Sequence, residues 1–179
     1  MIQTTWMRIA TLPTMLLAVL VCAPPTLAQT SAHSSPEDRQ RLVSIERSLE
    51  RTPLDSSLQA DRKWAVQWLI DAPDVSVNVC LDPLGGVSEK DYARTAEVVV
   101  QYTIAMAALV IENPEKANDP DAQQLAGVEG ALNAYRSMRA AQPNDTSPAF
   151  EKLLGMQSRG ELPGFVHKAY LRCMAKNGK

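Results

Sequence analysis

Residues 89–112, EKDYARTAEVVVQYTIAMAALVIE, restrict the possible folds more than any other stretch of the chain. A polar first turn runs into fourteen residues, Val98 to Ile111, broken only by Gln101 and Thr103. A helix apolar on nearly every side must be surrounded by other elements, so the remaining segments are expected to wrap it. A membrane span needs about 20 apolar residues, and this run is shorter and framed by Glu97 and Glu112. Ser88 is predicted to cap the helix, with Asp91 in the reciprocal position of a capping box. Asn113-Pro114 ends it, because proline removes a backbone donor and disfavours helical geometry before it.

The remainder reads as helices with marked starts. Ser35-Pro36-Glu37-Asp38 opens one, with Leu42, Ile45 and Leu49 on its apolar face and Thr52-Pro53 at its end. Asp55 caps a second, running to about Ile70, with Leu58, Ala65 and Leu69 inward. Trp64 and Trp68 lie one turn apart on a neighbouring face, where they either bury area against the central helix or offer a stacking platform to a ligand. Val75-Ser76-Val77-Asn78-Val79-Cys80 alternates with period two and has no second alternating run to pair with. It is expected to lie extended along the bundle with Val75, Val77 and Val79 inward. Asp82-Pro83 and Gly85-Gly86 then supply a turn.

Asp119-Pro120 starts a long helix to about Ala141 with a stripe of Leu125, Val128, Leu132 and Tyr135. Its adjoining face, Gly127, Gly130, Ala131 and Ala134, has almost no side chain. Glycine costs about 1 kcal/mol against alanine inside a helix, so this face is expected to meet another backbone closely, with Ala105, Ala107 and Ala108 as its counterpart. Ser147-Pro148 begins a shorter helix to Gln157, ended by Gly160, and Pro163 begins the last one. There Phe165, Ala169 and Cys173 recur every four residues, beside Val166 and Tyr170. The predicted fold class is all-α: one bundle of five or six helices around a buried central helix, with one short extended segment, spanning 35–176 and followed by a frayed tail, 177–179.

Residues 1–28 carry Arg8 as their one charged side chain, an apolar stretch from Leu16 to Ala23, and Pro24-Pro25 before Thr26-Leu27-Ala28. This is the pattern of a secretory signal peptide cleaved after Ala28, or at Ala32 as a second choice. Val21 before Cys22 is bulkier than the small residue of a lipoprotein motif. Residues 29–34 are read as a disordered lead-in. Export into the periplasm or beyond implies an oxidising compartment, where Cys80 and Cys173 are expected to form a disulfide. Closing so long a loop is worth on the order of 4–5 kcal/mol in the loop-entropy model.

The formal net charge of −2, with both signs mixed along the chain, gives no basic patch for nucleic acid. Two histidines, His33 and His167, are too few for a histidine-built zinc site, and no metal or cofactor is expected. His167 reads as a solvated surface residue. Paired carboxylates, Asp71 with Asp74, Glu112 with Glu115, or Glu129 beside the glycine-lined face, are the remaining route to a polysaccharide hydrolase. No catalytic set is assigned.

Residues 131–143, ALNAYRSMRAAQP, resemble the second helix of a tetratricopeptide repeat, with Met138 in place of a small residue and no matching first helix before them. The stretch from Arg62 to Cys80, with Trp-Ala-x-x-Trp and Ala-Pro-Asp-Val-Ser-Val-Asn-Val-Cys, is similar to secreted bacterial proteins without assigned activity, which implies export and one helical domain. The expected role is a non-enzymatic module binding an envelope protein or peptide. The alternatives are the carboxylate-dependent hydrolase and a small-ligand carrier using Trp64 and Trp68.

Overall fold

A computed structural model describes residues 34–72, 74–87, 90 and 92–177. The residues read as a signal peptide, the expected lead-in before Ser34, the expected capping pair Ser88 and Asp91, and the last two residues lie outside the described residues. Six α-helices follow in order: α1 (Pro36–Arg51), α2 (Gln59–Asp71), α3 (Thr95–Glu112), α4 (Pro120–Ala141), α5 (Pro148–Ser158) and α6 (Leu162–Asn177). No strand occurs among the described residues, and the all-α bundle expected from the sequence is what forms.

α3 is at the centre because it faces two cores at once. Val98, Tyr102 and Met106, spaced by four, join Val128, Leu132, Tyr135, Phe150, Leu153, Leu162 and Val166 on one side. Ile104 and Ala107 join Leu42, Ile45, Leu49, Ala65 and Val75 on the other. A helix between two apolar clusters has little use for a polar stripe, which explains a run with almost no polar residue. α3 is long and apolar enough to cross a membrane, yet its burial between the other helices accounts for its composition here.

Three of the expected caps form. The Asp38, Ala122 and Phe150 N–H groups donate to the side chains of Ser35, Asp119 and Ser147, at the starts of α1, α4 and α5. Asp55 accepts from the Ser57 N–H and opens a 3-10 turn, Ser56–Leu58, that runs into α2.

The start of α3 differs from the prediction. It begins at Thr95 rather than near Glu89, and Arg94, at its N-cap, makes no side-chain cap. The reason is Tyr92, which is buried in edge-to-face contact with Tyr135 and Phe150 at ring separations of 5.7 and 5.8 Å. Anchoring that ring turns the chain, and the Thr95 hydroxyl and N–H both donate to the Tyr92 carbonyl, at 2.7 and 3.2 Å. Aromatic packing thus overrides a local capping pattern.

The small face of α4 does meet α3. A Cβ added at Gly130 would lie 2.5 Å from the Ala105 Cβ, closer than carbon atoms pack, whereas one at Gly127 would meet the Tyr102 ring and Met106 rather than an alanine. Gly130→Ala is expected to lower stability by about 1–3 kcal/mol, because overpacking between two fixed helices outweighs the better helix propensity of alanine. Urea denaturation checks this, and an unchanged or raised midpoint would contradict the close-approach role.

Candidate interaction site around the extended segment

Between α2 and α3 the chain passes through residues 75–80 without helix or ladder. Two buried polar side chains fix it from inside. Gln124 of α4, fully buried, donates from Nε2 to the Asn78 carbonyl at 2.6 Å. The Tyr102 hydroxyl is directed at the Cys80 carbonyl, 2.8 Å away, and at Gln124 Oε1. Burial pushes the Tyr102 phenol well above its ordinary pKa, so it remains a donor. Cys80 is disulfide-bonded to Cys173 of α6, with a Cα–Cα distance of 6.3 Å, and Asn78 Nδ2 reaches the Tyr170 hydroxyl at 3.3 Å. The segment is therefore held on α3, α4 and α6 together.

In an extended chain the backbone groups of alternate residues point to one side. Since the Asn78 and Cys80 carbonyls face inward, those of Val77 and Val79 face the opposite edge, whereas Val75 is enclosed by the core. Among the described residues, the N–H and C=O groups of these three valines have no hydrogen-bond partner. Their side chains are staged in depth: Val75 is buried, Val77 half-buried and Val79 45% exposed. Val79 corrects the expectation that all three valines point inward; the turn that brings Cys80 to Cys173 lifts the chain off the bundle at that point.

The exposed large apolar side chains of the described residues are Ile70, Val79, Leu81, Leu171 and Met174. Four of the five adjoin this segment, and Leu171 lies apart on α6. Ile70 and Val79 line one cavity of about 460 Å³ together with Val66, Val77, Val99 and Val100. Leu81 follows Cys80, Met174 follows Cys173, and Asn78 Nδ2 contacts the Met174 sulfur at 3.5 Å. A wider groove of about 860 Å³, bounded by the 3-10 turn, α2 and the start of α3, continues from the cavity through Val66 and Val100. The alternation of residues 75–79 marked this segment in the sequence. Gln124 and Tyr102, which hold it, carried no signal, because a glutamine in a helix and a tyrosine on an apolar run have many other uses.

The other candidate residues are placed as follows. Trp64 and Trp68 are half-buried and stacked on each other, with ring centroids 6.0 Å apart and planes inclined by 20°. The Arg41 guanidinium covers Trp64 at 4.0 Å. The pair packs against the α1–α2–α3 core. His167 is exposed on α6 with Nδ1 2.9 Å from both carboxylate oxygens of Asp121. Asp71 accepts from Gln67, and Asp74 from the Ser34 N–H and Arg39, so both acids hold local structure.

Glu112 and Glu129 do come together, with Glu46 and Glu50, around a small cavity of about 210 Å³ beside Gly130. Glu115 is not part of it. Arg47 pairs with Glu112, Gln101 Nε2 donates to Glu46 Oε1 at 2.9 Å and Asn133 Nδ2 to Glu50 at 3.0 Å. Burial, then the charge of Glu50 and a hydrogen bond with it, push the Glu46 carboxyl up to about 8. Gln101 Oε1 is buried and has no hydrogen-bond partner among the described residues. Sequence spacing missed Glu46 and Glu50, which lie on the rim of an otherwise regular apolar face of α1. No family model, no curated protein and no solved structure matches the chain.

Proposed function

We propose that the protein is an exported, non-enzymatic interaction module that binds an extended stretch of a polypeptide partner along residues 75–79. The observation that carries this reading is the coincidence of the unpaired Val77 and Val79 backbone groups with four of the five exposed large apolar side chains of the described residues. Backbone hydrogen bonds would supply affinity and the adjoining cavity would select side chains, which is how strand addition recognises peptides. The signal-peptide pattern supports export, and a disulfide agrees with an oxidising compartment.

The hydrolase and the carrier fit less well. Each acid around the 210 Å³ cavity already has a protein partner or a like-charged neighbour, and the tryptophans are covered by each other and by Arg41. Cross-linked capture from the protein's own envelope, comparing the native chain with Ile70→Lys, Trp64→Ala and Glu129→Gln, separates the three. The expected result is a stoichiometric polypeptide lost with Ile70→Lys and kept with the other two. Retention of glycan alone, or loss specific to Trp64→Ala or Glu129→Gln, would overturn the reading.

A further inference from the structure

We propose that the cavity between the Gly85-Gly86 turn, α5 and α6 is a binding site for a small apolar carboxylate, the size of a single amino acid. It shares no lining residue with the cavity at Ile70 and Val79 and does not depend on what that region binds.

Three elements build the site. After Cys80 the chain makes a 3-10 turn, Asp82–Leu84, and leaves it through two glycines in the left-handed region, Gly85 at φ 77° and Gly86 at φ 74°. Spacings of three and four on α5 bring Ala149, Lys152 and Leu153 to one face, and Phe165 and Arg172 share a face two turns apart on α6. With Asp82 and the two glycines they line about 290 Å³. Pockets that take drug-sized ligands start at about 300 Å³, so the occupant is small.

The wall carries positive charge that the chain itself does not use. Among the described residues, every arginine except Arg172 has a hydrogen-bond acceptor within the chain. Lys152 likewise has none among them. Asp82, the acid in the wall, is already matched by Lys176 at 2.8 Å. The Leu84 and Gly85 N–H groups donate to the Leu81 and Asp82 carbonyls, at 3.0 and 3.1 Å, whereas the Gly86 N–H has no acceptor among the described residues. A Cβ at Gly86 would meet nothing within 4 Å, so open space adjoins that amide.

Guanidinium, ammonium and backbone N–H are all donors, and a carboxylate is acceptor only. The guanidinium can take its two oxygens in parallel hydrogen bonds, while the ammonium adds a point charge. Ala149 and Phe165, both half-buried, supply hydrocarbon that an apolar group on the ligand would cover and a bare inorganic anion would leave in water. Two sources carry this chemistry: a free organic acid and the C-terminal residue of a polypeptide.

The test is an amide NMR titration of the disulfide-intact protein at low ionic strength, where exposed charges are least screened, following Gly85, Gly86 and Ala149. Saturable shifts are expected with isocaproate and with N-acetyl-leucine, and none with N-acetylleucinamide, which lacks the carboxylate. Tighter binding of N-acetyl-leucine identifies a polypeptide C-terminus as the source; equal or tighter binding of isocaproate identifies a free acid. Arg172→Gln and Lys152→Gln should each weaken binding by about tenfold or more. Both side chains are exposed and unpaired, so the fold does not rest on them. Lys168→Gln removes the same charge from α6 outside the cavity and should leave binding unchanged. Absence of saturable shifts, an equal response to N-acetylleucinamide, or tighter binding of inorganic phosphate than of either carboxylate overturns the site. So does binding indifferent to Arg172→Gln and Lys152→Gln, or weakened as much by Lys168→Gln.

Discussion

Reducing the Cys80–Cys173 disulfide, or replacing both cysteines by serine, is expected to cost about 2–5 kcal/mol and to lower the melting temperature by on the order of 10 °C. The bridge spans a sequence separation of 93, so it removes many conformations from the unfolded chain. The native state also contributes. α6 is anchored at its start by Leu162, Val166 and Ala169, all at most 1% exposed, but beyond Tyr170 its side chains are largely exposed. There the bridge is joined by the Asn78–Tyr170 hydrogen bond and the exposed Lys176–Asp82 pair, each worth little on its own. Loss of the disulfide should therefore loosen the last turns of α6 and residues 75–81 together. Hydrogen exchange would show both segments gaining exchange before the α3 and α4 cores. A melting temperature unaffected by reduction, with the thiols confirmed free, would mean that the bundle alone fixes this end of the chain.

The same region shows what the sequence could and could not reveal. α3 was legible from its composition, and its place between two cores follows from apolar positions that leave no polar face. α1, α4 and α5 were legible from capping residues followed by proline, a pattern that local chemistry decides on its own. The pairing of Cys80 with Cys173 followed from compartment logic and from the periodicity of α6. What escaped was decided by contacts distant in sequence. Tyr92 reaches across to Tyr135 and Phe150 and so delays the start of α3, and no residue near Ser88 records that. Val79 is alternation-matched to Val75 and Val77 yet exposed, because the course of the chain there is set by a disulfide to α6 and by Gln124. The open edge itself was half legible: the sequence showed one alternating run with nothing to pair with, and only the buried donors to the Asn78 and Cys80 carbonyls show which side of it faces outward.

The acidic corner at Glu46 was not legible, and it yields the second large effect. Glu46 lies at the junction of α1, α3 and α4, 8% exposed. It faces Glu50 and Arg47 on its own helix, Glu112 at the end of α3, and Glu129 and Asn133 on α4. Burial is the largest cause of its raised pKa, followed by the charge of Glu50; Arg47 opposes both but is itself engaged with Glu112. The folded chain keeps the Glu46 proton to about pH 8, whereas the unfolded chain releases it near 4.5. Between those values the folded state binds the extra proton, so the contribution of Glu46 to stability is greatest below about pH 4.5 and is lost as pH rises to about 8. One full proton corresponds to about 1.4 kcal/mol per pH unit. Substitution by glutamine should remove this dependence, because a neutral amide reproduces the protonated acid: its oxygen accepts from Gln101 Nε2 and its NH2 donates to Glu50. Glu46→Gln is therefore expected to match the native chain near pH 4.5 and to exceed it by about 2 kcal/mol or more at pH 8.5, with a correspondingly flatter stability profile. Glu46→Ala separates charge from packing, since it also removes the charge but leaves Gln101 Nε2 with the residue-46 main-chain carbonyl alone and a void against Gly130. Urea denaturation at pH 5, 7 and 8.5 decides the matter. Parallel profiles for the native chain and Glu46→Gln would show that Glu46 is ionised in the fold at neutral pH, and that water reaching the cavity solvates all four carboxylates there.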